Sequence, residues 1–264
     1  MNDPKALLDS HGLSAKKSFG QNFLRDQRVH EAVAKALGAE LGDHIIELGA
    51  GLGTLTHHLA ASGAHVHAVE RDRELVPILR EEFANAANVT IVEGNAKAID
   101  FASYAPAAPA RLFIAGNIPY QLTSSIIFAT LAARAQVTAA AFLVQREVAD
   151  RIVAPPGSRT YGLLSVLIGA VADVRKVMNV GRGAFVPPPR VDSAVIAWRF
   201  RETKTSEDFV PLVKAAFQQR RKTLRNAISG FPRAIAAAPT LCIDLQARPE
   251  TLTPAQFVAL AGAT

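Results

Sequence analysis

One tetrapeptide of the sequence has residue types that could activate an aromatic amine. It consists of Asn117, Ile118, Pro119 and Tyr120. An exocyclic aromatic amine is a poor nucleophile because its lone pair is delocalised into the ring, so it must become more tetrahedral before it attacks. Two fixed acceptors aimed at its N–H bonds favour that geometry, and the Asn117 side-chain oxygen and the Ile118 carbonyl are suited to this task. Pro119 restricts Ile118 to extended dihedrals, and Tyr120 offers a ring on which a base can stack. An ordinary Asn-x-Pro turn is the alternative.

A glycine-rich segment lies upstream, in which Glu47 and Leu48 precede the pattern Gly-Ala-Gly-Leu-Gly that starts at Gly49. Glycines such as Gly49 and Gly51 let the backbone turn tightly and let a ligand approach closely. The spacing differs from the G-x-G-x-x-G pattern of nicotinamide enzymes. The Glu47 carboxylate would repel a pyrophosphate, whereas it would attract the sulfonium and ammonium groups of S-adenosyl-L-methionine. The segment therefore favours a methyltransferase over a dehydrogenase.

Two more polar residues occur where predicted strands end. Glu70 lies 23 residues after Glu47 and could accept hydrogen bonds from both ribose hydroxyls of an adenosine ligand. Because NAD enzymes share this feature, it indicates an adenosine cofactor without distinguishing between the two classes. The amide oxygen of Asn95 could contact the adenine amino group, although Gly-Asn is also common turn chemistry.

The elements that position these residues follow from short apolar runs that alternate with helical patterns. This alternation predicts a parallel, doubly wound sheet, on which ligands bind at the carboxyl ends of the strands. The motifs above fall at such ends. The predicted strands are 44–48, 65–69, 89–92, 112–115, 139–144 and 194–198, and the predicted helices are 29–37, 54–61 and 74–84.

The chain changes character after residue 201, where helical patterns are interrupted by several prolines. We expect a Rossmann-like catalytic domain with an N-terminal arm over residues 1–201 and a small all-α domain over 202–264. The net charge of the chain is +6. The segment between Arg199 and Arg233 has nine basic and three acidic residues, so its own net charge is also +6. Such concentration indicates a polyanionic partner, with a solvated helix face as the alternative.

Two further segments fit a nucleic-acid substrate. Phe185 precedes three prolines and could stack on an extruded base, or it could be a core residue. Residues 217–226 are predicted to form a basic helix whose face would contact phosphates without reading sequence. The candidate RNA-binding residues are Lys16, Lys17, Arg220, Arg221, Lys222 and Arg225.

Other features of the sequence limit the class of protein. The single cysteine, Cys242, permits neither an intramolecular disulfide nor a cysteine-based zinc site, and we expect no metal. The sequence lacks an apolar signal segment at its start and an apolar run long enough to span a membrane. We therefore expect a soluble, cytoplasmic protein without a membrane partner, and a monomer.

Taken together, the segments resemble the ribosomal RNA adenine dimethyltransferases, and most closely the branch that acts on the small subunit. The resemblance rests on residues 19–24, 47–53, 117–120, 185–194 and 217–223, short segments that are distributed over nearly the whole chain. It implies methyl transfer from S-adenosyl-L-methionine to N6 of two adjacent adenosines near the 3′ end of 16S rRNA. The 30S subunit or its precursor would be the partner, and the enzyme would have a role in subunit biogenesis.

The resemblance also implies roles for individual residues. Asn22 and Leu24 would close over the cofactor, and Gly49, Glu70 and Asn117 would belong to the cofactor and active site. The family usually has Asp where this chain has Asn95. Asn95 accepts a hydrogen bond but lacks the negative charge, so we expect activity with weaker cofactor binding.

Three other functions remain open at this point. One is the sibling branch that methylates 23S rRNA, which the basic segment and the prolines after Phe185 fit less well. Another is a ribosome-assembly or transcription factor that kept the fold and lost catalysis. The third is a nicotinamide oxidoreductase, which the glycine spacing and Glu47 disfavour.

Overall fold

The protein is described by a computed structural model that covers residues 4–16, 19–219 and 221–264. The chain divides into two compact units. One comprises Met1–Ala149 and Arg175–Arg199, and the other comprises Asp150–Val174 and Phe200–Thr264. The candidate catalytic residues all lie in the first unit.

A seven-stranded sheet is the centre of the first unit, with the order β4-β3-β2-β5-β6-β9-β7. Strands β2 to β6 pair in parallel, whereas β9 runs antiparallel to β6. The chain reverses its direction of winding between β2 and β5, which makes their carboxyl ends the switch point where such sheets bind ligands. The strands are β2 (His44–Leu48), β3 (His65–Glu70), β4 (Val89–Glu93), β5 (Leu112–Asn117), β6 (Val137–Gln145), β7 (Ala172–Val180) and β9 (Ser193–Phe200).

Helices precede and link these strands. Their apolar residues recur at helical spacing and pack on the sheet. Leu55 and Leu59 of α3 are both buried in one cluster with Ile45 and Phe113 of the strands. The helices are α1 (Pro4–Ser10), α2 (Gln27–Leu37), α3 (Thr54–Ala60), α4 (Leu75–Glu82), α5 (Thr123–Ala132) and α6 (Arg146–Ile152).

Helix α2 illustrates how local sequence sets an element's ends. The Asp26 side chain accepts a hydrogen bond from the Arg28 backbone N–H at 3.1 Å and caps the N-terminus. Gly38 ends the helix at φ +66°, a conformation that costs glycine little. The helix is thereby fixed directly after the arm that contains Asn22 and Leu24.

A two-stranded ladder ties this arm to a distant part of the chain. Strand β1 (Phe23–Leu24) pairs antiparallel with β8 (Phe185–Val186), with Phe23 opposite Val186 and Leu24 opposite Phe185. Next to it, the Arg25 N–H donates to the Ala184 carbonyl at 2.9 Å. The two short strands hold residues 22–24 against the glycine loop.

The second unit is mainly helical. Tyr161 is buried, and its hydroxyl donates to the Leu252 carbonyl at 2.7 Å. The Tyr161 and Phe217 rings lie 6.1 Å apart, so residues from both segments of the unit share one core. The helices are α7 (Leu163–Val171), α8 (Phe209–Gln218), α9 (Leu224–Ala227), α10 (Pro232–Ala237) and α11 (Pro254–Gly262).

The α/β class with a small helical domain is confirmed, but the details differ from the expectation in two places. Residues 150–174, which we expected in the catalytic domain, belong to the helical unit because α7 packs against α8 and α11. The single helix expected over 217–226 is wrong. Gln219 leaves helical dihedrals, and the N–H groups of Leu224 and Arg225 bond to the carbonyls of residues 247 and 245.

Within the ranges that the structure describes, no helix combines the length and the apolar character that crossing a bilayer requires.

Candidate active site

A pocket opens at the carboxyl ends of β2, β3, β4 and β5. Its walls come from the N-terminal arm, the glycine loop after β2, the loops that follow β3 and β4, and the turn after β5. The structure brings together most of the residues that the sequence singled out. Those that line the pocket are Asn22, Leu24, Glu47, Gly49, Gly51, Glu70, Asn117, Ile118, Pro119 and Tyr120.

The glycine loop is held tightly against β3. The N–H groups of Gly49 and Ala50 both donate to the Val69 carbonyl, at 2.9 and 3.0 Å. Gly51 has φ +61°, and a Cβ there would lie 3.3 Å from the Phe23 ring. Glycine at this position therefore satisfies both the left-handed backbone and the close approach of the arm.

Glu70 organises the loop from the end of β3. Its Oε2 accepts from the Gly51 N–H, and its Oε1 accepts from the N–H groups of Arg71 and Asp72, each at 2.8 Å. A carboxylate has about four acceptor positions, so about one is left for a ribose hydroxyl. The expected contact with both hydroxyls requires that one backbone bond be exchanged. Burial raises the pKa of Glu70 above its ordinary value, although the backbone N–H groups oppose the rise.

Glu47 lies deeper and is almost completely buried, with 1% of its surface exposed. The Thr56 hydroxyl donates to its Oε2 at 2.6 Å. Burial raises the pKa of Glu47 to about 8, against the effect of the Thr56 hydrogen bond and with a further contribution from Glu70. A cation in the pocket would reverse this shift because it stabilises the ionised carboxylate.

Asn117 is held in one orientation by the arm. Its Nδ2 donates to the Asn22 carbonyl at 3.0 Å, so its Oδ1 is the atom left to accept a hydrogen bond from a ligand. Within the described part of the chain, Oδ1 has no hydrogen-bond partner. The Ile118 N–H donates to the Leu143 carbonyl at 3.3 Å and fixes the next residue. The Tyr120 hydroxyl and Ser193 Oγ lie 2.6 Å apart, which restrains the tyrosine ring.

The arm is fastened by a polar cluster that the sequence analysis missed. Gln21 Nε2 donates to Asp72 Oδ2 at 2.8 Å, and Lys16 Nζ lies 2.7 Å from Asp72 Oδ1 and 2.9 Å from Glu74. Although burial opposes it, the Lys16 ammonium and the hydrogen bonds hold the pKa of Asp72 below its usual range. Asp72 follows Glu70 by two residues, and this second acid after β3 was the available signal.

This cluster corrects one expectation. Lys16, expected to contact RNA, is engaged by two carboxylates, which raise its pKa and neutralise its charge locally. It serves the arm rather than presenting a free cation. Lys17, the other expected contact in the arm, lies outside the described residues.

A family model for ribosomal RNA adenine dimethylase matches residues 12–263. The chain belongs to the ribosomal RNA adenine dimethylase family. It is 45% identical to the ribosomal RNA small subunit methyltransferase A of Myxococcus xanthus, over 98% of this chain and 94% of that protein. It is 39% identical to the protein of the same name from Pseudomonas putida, over 94% of each.

Solved structures agree with this membership at the level of fold. A dimethyladenosine transferase from Plasmodium falciparum has a TM-score of 0.77 at 22% identity, over 90% of this chain and 95% of that one. The 23S rRNA methyltransferase ErmE has a TM-score of 0.73 at 25% identity, over 91% and 98%. Because both scores are similar, the fold alone does not discriminate between these two kinds of methyltransferase.

Two expected site residues of this family member lie outside the pocket lining. Asn95 is exposed, and its Oδ1 accepts from the Lys97 N–H at 3.1 Å, while Gly94 and Ala96 on either side line the pocket. Phe185 is 2% exposed and packs in the core cluster. The structure thus gives Phe185 the core position that the sequence left open, and its ring has no free face for a base.

The basic segment of this rRNA adenine dimethylase lies in the second unit. Arg221, Lys222 and Arg225 are exposed and form no ion pair within the described ranges. They no longer share one helix face, because α8 ends at Gln218 and α9 begins at Leu224. Arg220 lies outside the described residues.

Proposed function

We propose that this protein transfers methyl groups from S-adenosyl-L-methionine to N6 of two adjacent adenosines near the 3′ end of 16S rRNA, and so takes part in small-subunit biogenesis. The observation that carries the proposal is Asn117. Its amide N–H donates to the Asn22 carbonyl, which leaves Oδ1 to accept a hydrogen bond from a ligand, and Asn117 lines the cofactor pocket. The relatives with 39–47% identity are named small-subunit methyltransferases and support this substrate over 23S rRNA.

The pocket fits the cofactor because its two buried acids can carry a charge of the required sign beside a cation. Glu47 and Glu70 are both acidic, which suits a ligand with two cationic centres and ribose hydroxyls. The same two acids would repel the pyrophosphate of a nicotinamide cofactor, which argues against such a cofactor. When bound, S-adenosyl-L-methionine supplies a methyl group that is activated by the positive charge on sulfur.

The protein's contribution is to bind and orient the adenine amine. We assign Asn117 Oδ1 and the Ile118 carbonyl as acceptors for its two N–H bonds, which favours the tetrahedral geometry needed for attack. Pro119 holds Ile118 in place, and the Tyr120 ring, restrained through Ser193, would stack on the base. The methylated amine is acidic enough to lose its proton to water, so no dedicated general base is required.

The exposed cations of the second unit would contact RNA phosphates. Arg221, Lys222 and Arg225 have no competing carboxylate among the described residues, and such contacts give affinity without reading sequence. We further propose that the protein is a monomer that acts in the cytoplasm on the 30S subunit or its precursor.

The test is methyl transfer from labelled S-adenosyl-L-methionine to under-methylated 30S subunits, with the products digested to nucleosides. We expect label in N6,N6-dimethyladenosine with the wild-type protein, little with Asn117→Ala, and wild-type levels with Asn179→Ala, an exposed asparagine far along the chain. If 30S subunits receive no label and 23S rRNA, offered as the substrate in a parallel reaction, does, the result would favour the sibling branch. Tight subunit binding without transfer would favour a non-catalytic assembly factor.

A further inference from the structure

His30 is a buried side chain of the pocket wall that belongs to none of the sequence motifs. It lies on α2, is 1% exposed and lines the pocket together with Leu24, Thr54 and Leu55. Neither of its ring nitrogens has a hydrogen-bond partner. Among the described residues that line the pocket, the buried side-chain atoms without a hydrogen-bond partner are the two ring nitrogens of His30.

An unpartnered buried polar group is costly, on the order of 1–3 kcal/mol, and native proteins rarely keep one without a reason. The His30 ring is stacked on His58 of α3, with centroids 5.3 Å apart and planes 23° from parallel. This contact restrains the plane of the ring. A ligand that supplied a partner would recover the cost of desolvation.

The ring offers a donor rather than a charge. Burial and, to a smaller extent, the neighbouring His58 lower the pKa of His30 to about 4, although Asp26 opposes the shift. At neutral pH the imidazole is therefore uncharged, with one N–H donor and one acceptor nitrogen.

Each side-chain amide of the lining already uses one of its two N–H donors within the protein. Gln21 donates to Asp72, Asn22 donates to the Gly20 carbonyl, and Asn117 donates to the Asn22 carbonyl. The two buried acids, Glu47 and Glu70, suit cations and hydroxyls but repel an anion. The amino-acid end of the proposed cofactor carries a carboxylate, which needs N–H donors. Beside the backbone of the glycine loop, His30 is a buried donor of the lining that is still free.

We propose that His30 is a specificity-determining residue, whose ring N–H donates to the α-carboxylate of S-adenosyl-L-methionine. The inference rests on the proposed function, since it names the part of the same cofactor that His30 recognises. The enzyme thereby distinguishes the intact cofactor from forms that lack the carboxylate.

Calorimetric titration with two ligands tests this role without reference to activity. The ligands are S-adenosyl-L-methionine and its decarboxylated form, which keeps the sulfonium, the amine and the adenosine. We expect His30→Leu to weaken binding of the first by about tenfold, as for a lost hydrogen bond to a charged group, and to leave binding of the second unchanged. His30→Gln, which restores an N–H donor, should recover much of the preference for the carboxylate.

Controls separate recognition from packing. His30→Met also lacks a donor and serves if His30→Leu does not fold, and His11→Leu is the matched change at an exposed histidine. An equal loss for both ligands, or no loss for either, would overturn the proposal. If the wild-type protein binds both ligands but transfers no methyl group, the proposed function is rejected. The ratio of the two affinities in wild type and His30→Leu would still test the role of His30.

Discussion

Glu47→Gln should make the ligand-free protein less sensitive to pH and at the same time weaken cofactor binding. The reason is the burial of the Glu47 carboxyl, which raises its pKa from 4.5 to about 8. Between these two values the folded protein binds more protons than the unfolded chain. Its stability is therefore lost as the pH rises through this window.

The size of the effect follows from the two pKa values. For a group with these values in the unfolded and folded states, the free energy of unfolding falls by about 3 kcal/mol between about pH 5.5 and about pH 8. Glutamine does not titrate, and its buried amide adds a cost of about 1–3 kcal/mol that is the same at each pH. The difference in stability between wild type and Glu47→Gln should therefore shift by about 3 kcal/mol in favour of the variant as the pH rises.

Urea denaturation of the ligand-free proteins at several pH values measures this difference, and taking the difference cancels the titration of the histidines. Glu81→Gln, an exposed glutamate on α4, is the matched control and should follow wild type. Calorimetry should show weaker S-adenosyl-L-methionine binding by Glu47→Gln. A stability difference that stays constant from pH 5.5 to 8 would refute the reasoning, because Glu47 would then be ionised in both states.

Three further changes have specific outcomes. Gly116→Ala should slow methyl transfer more than it weakens cofactor binding. The new Cβ would lie 2.5 Å from the Leu48 carbonyl oxygen and would displace the residue before Asn117. Equal effects on the transfer rate and on the affinity for the cofactor would contradict this prediction. Asn117→Asp should reduce the transfer rate by about 100-fold and leave the protein folded, as measured by Tm. The change replaces the N–H donor to the Asn22 carbonyl with an oxygen. A fully active variant would contradict the role assigned to Asn117. Lys222→Ala should reduce the slope of log affinity for subunits against log salt by about one, and an unchanged slope would remove this residue from the interface.

The core of the fold was predictable because its signals are local. Short apolar strands such as Ile45–Leu48 are buried on both faces of a parallel sheet, so they appear as continuous runs. Acids and amides at the ends of such strands then fall at one edge of the sheet, which is why Glu47, Glu70 and Asn117 were found from the sequence. Strand β7 was not predicted because polar residues, among them the exposed Arg175 and Lys176, interrupt its apolar residues and leave no continuous apolar run.

The remaining differences come from contacts between residues distant in the chain. Lys16 looks like a free cation until Asp72, 56 residues away, is placed beside it. The helix expected over 217–226 ends early because backbone groups at 224 and 225 pair with residues 247 and 245. Phe185 is drawn into the core by its register opposite Leu24. No periodicity within one segment encodes such partners.

The ladder between β1 and β8 also has a consequence for biosynthesis. Phe23 and Leu24 are among the early residues to leave the ribosome, but their partners Phe185 and Val186 follow about 160 residues later. At ~5–20 residues per second, that delay is roughly 8–30 s. During this interval the glycine loop already exists while the arm has no strand to pair with. The nascent chain therefore acquires a closed cofactor site only after Val186 has emerged, so translation itself sets when this enzyme becomes competent to bind its methyl donor.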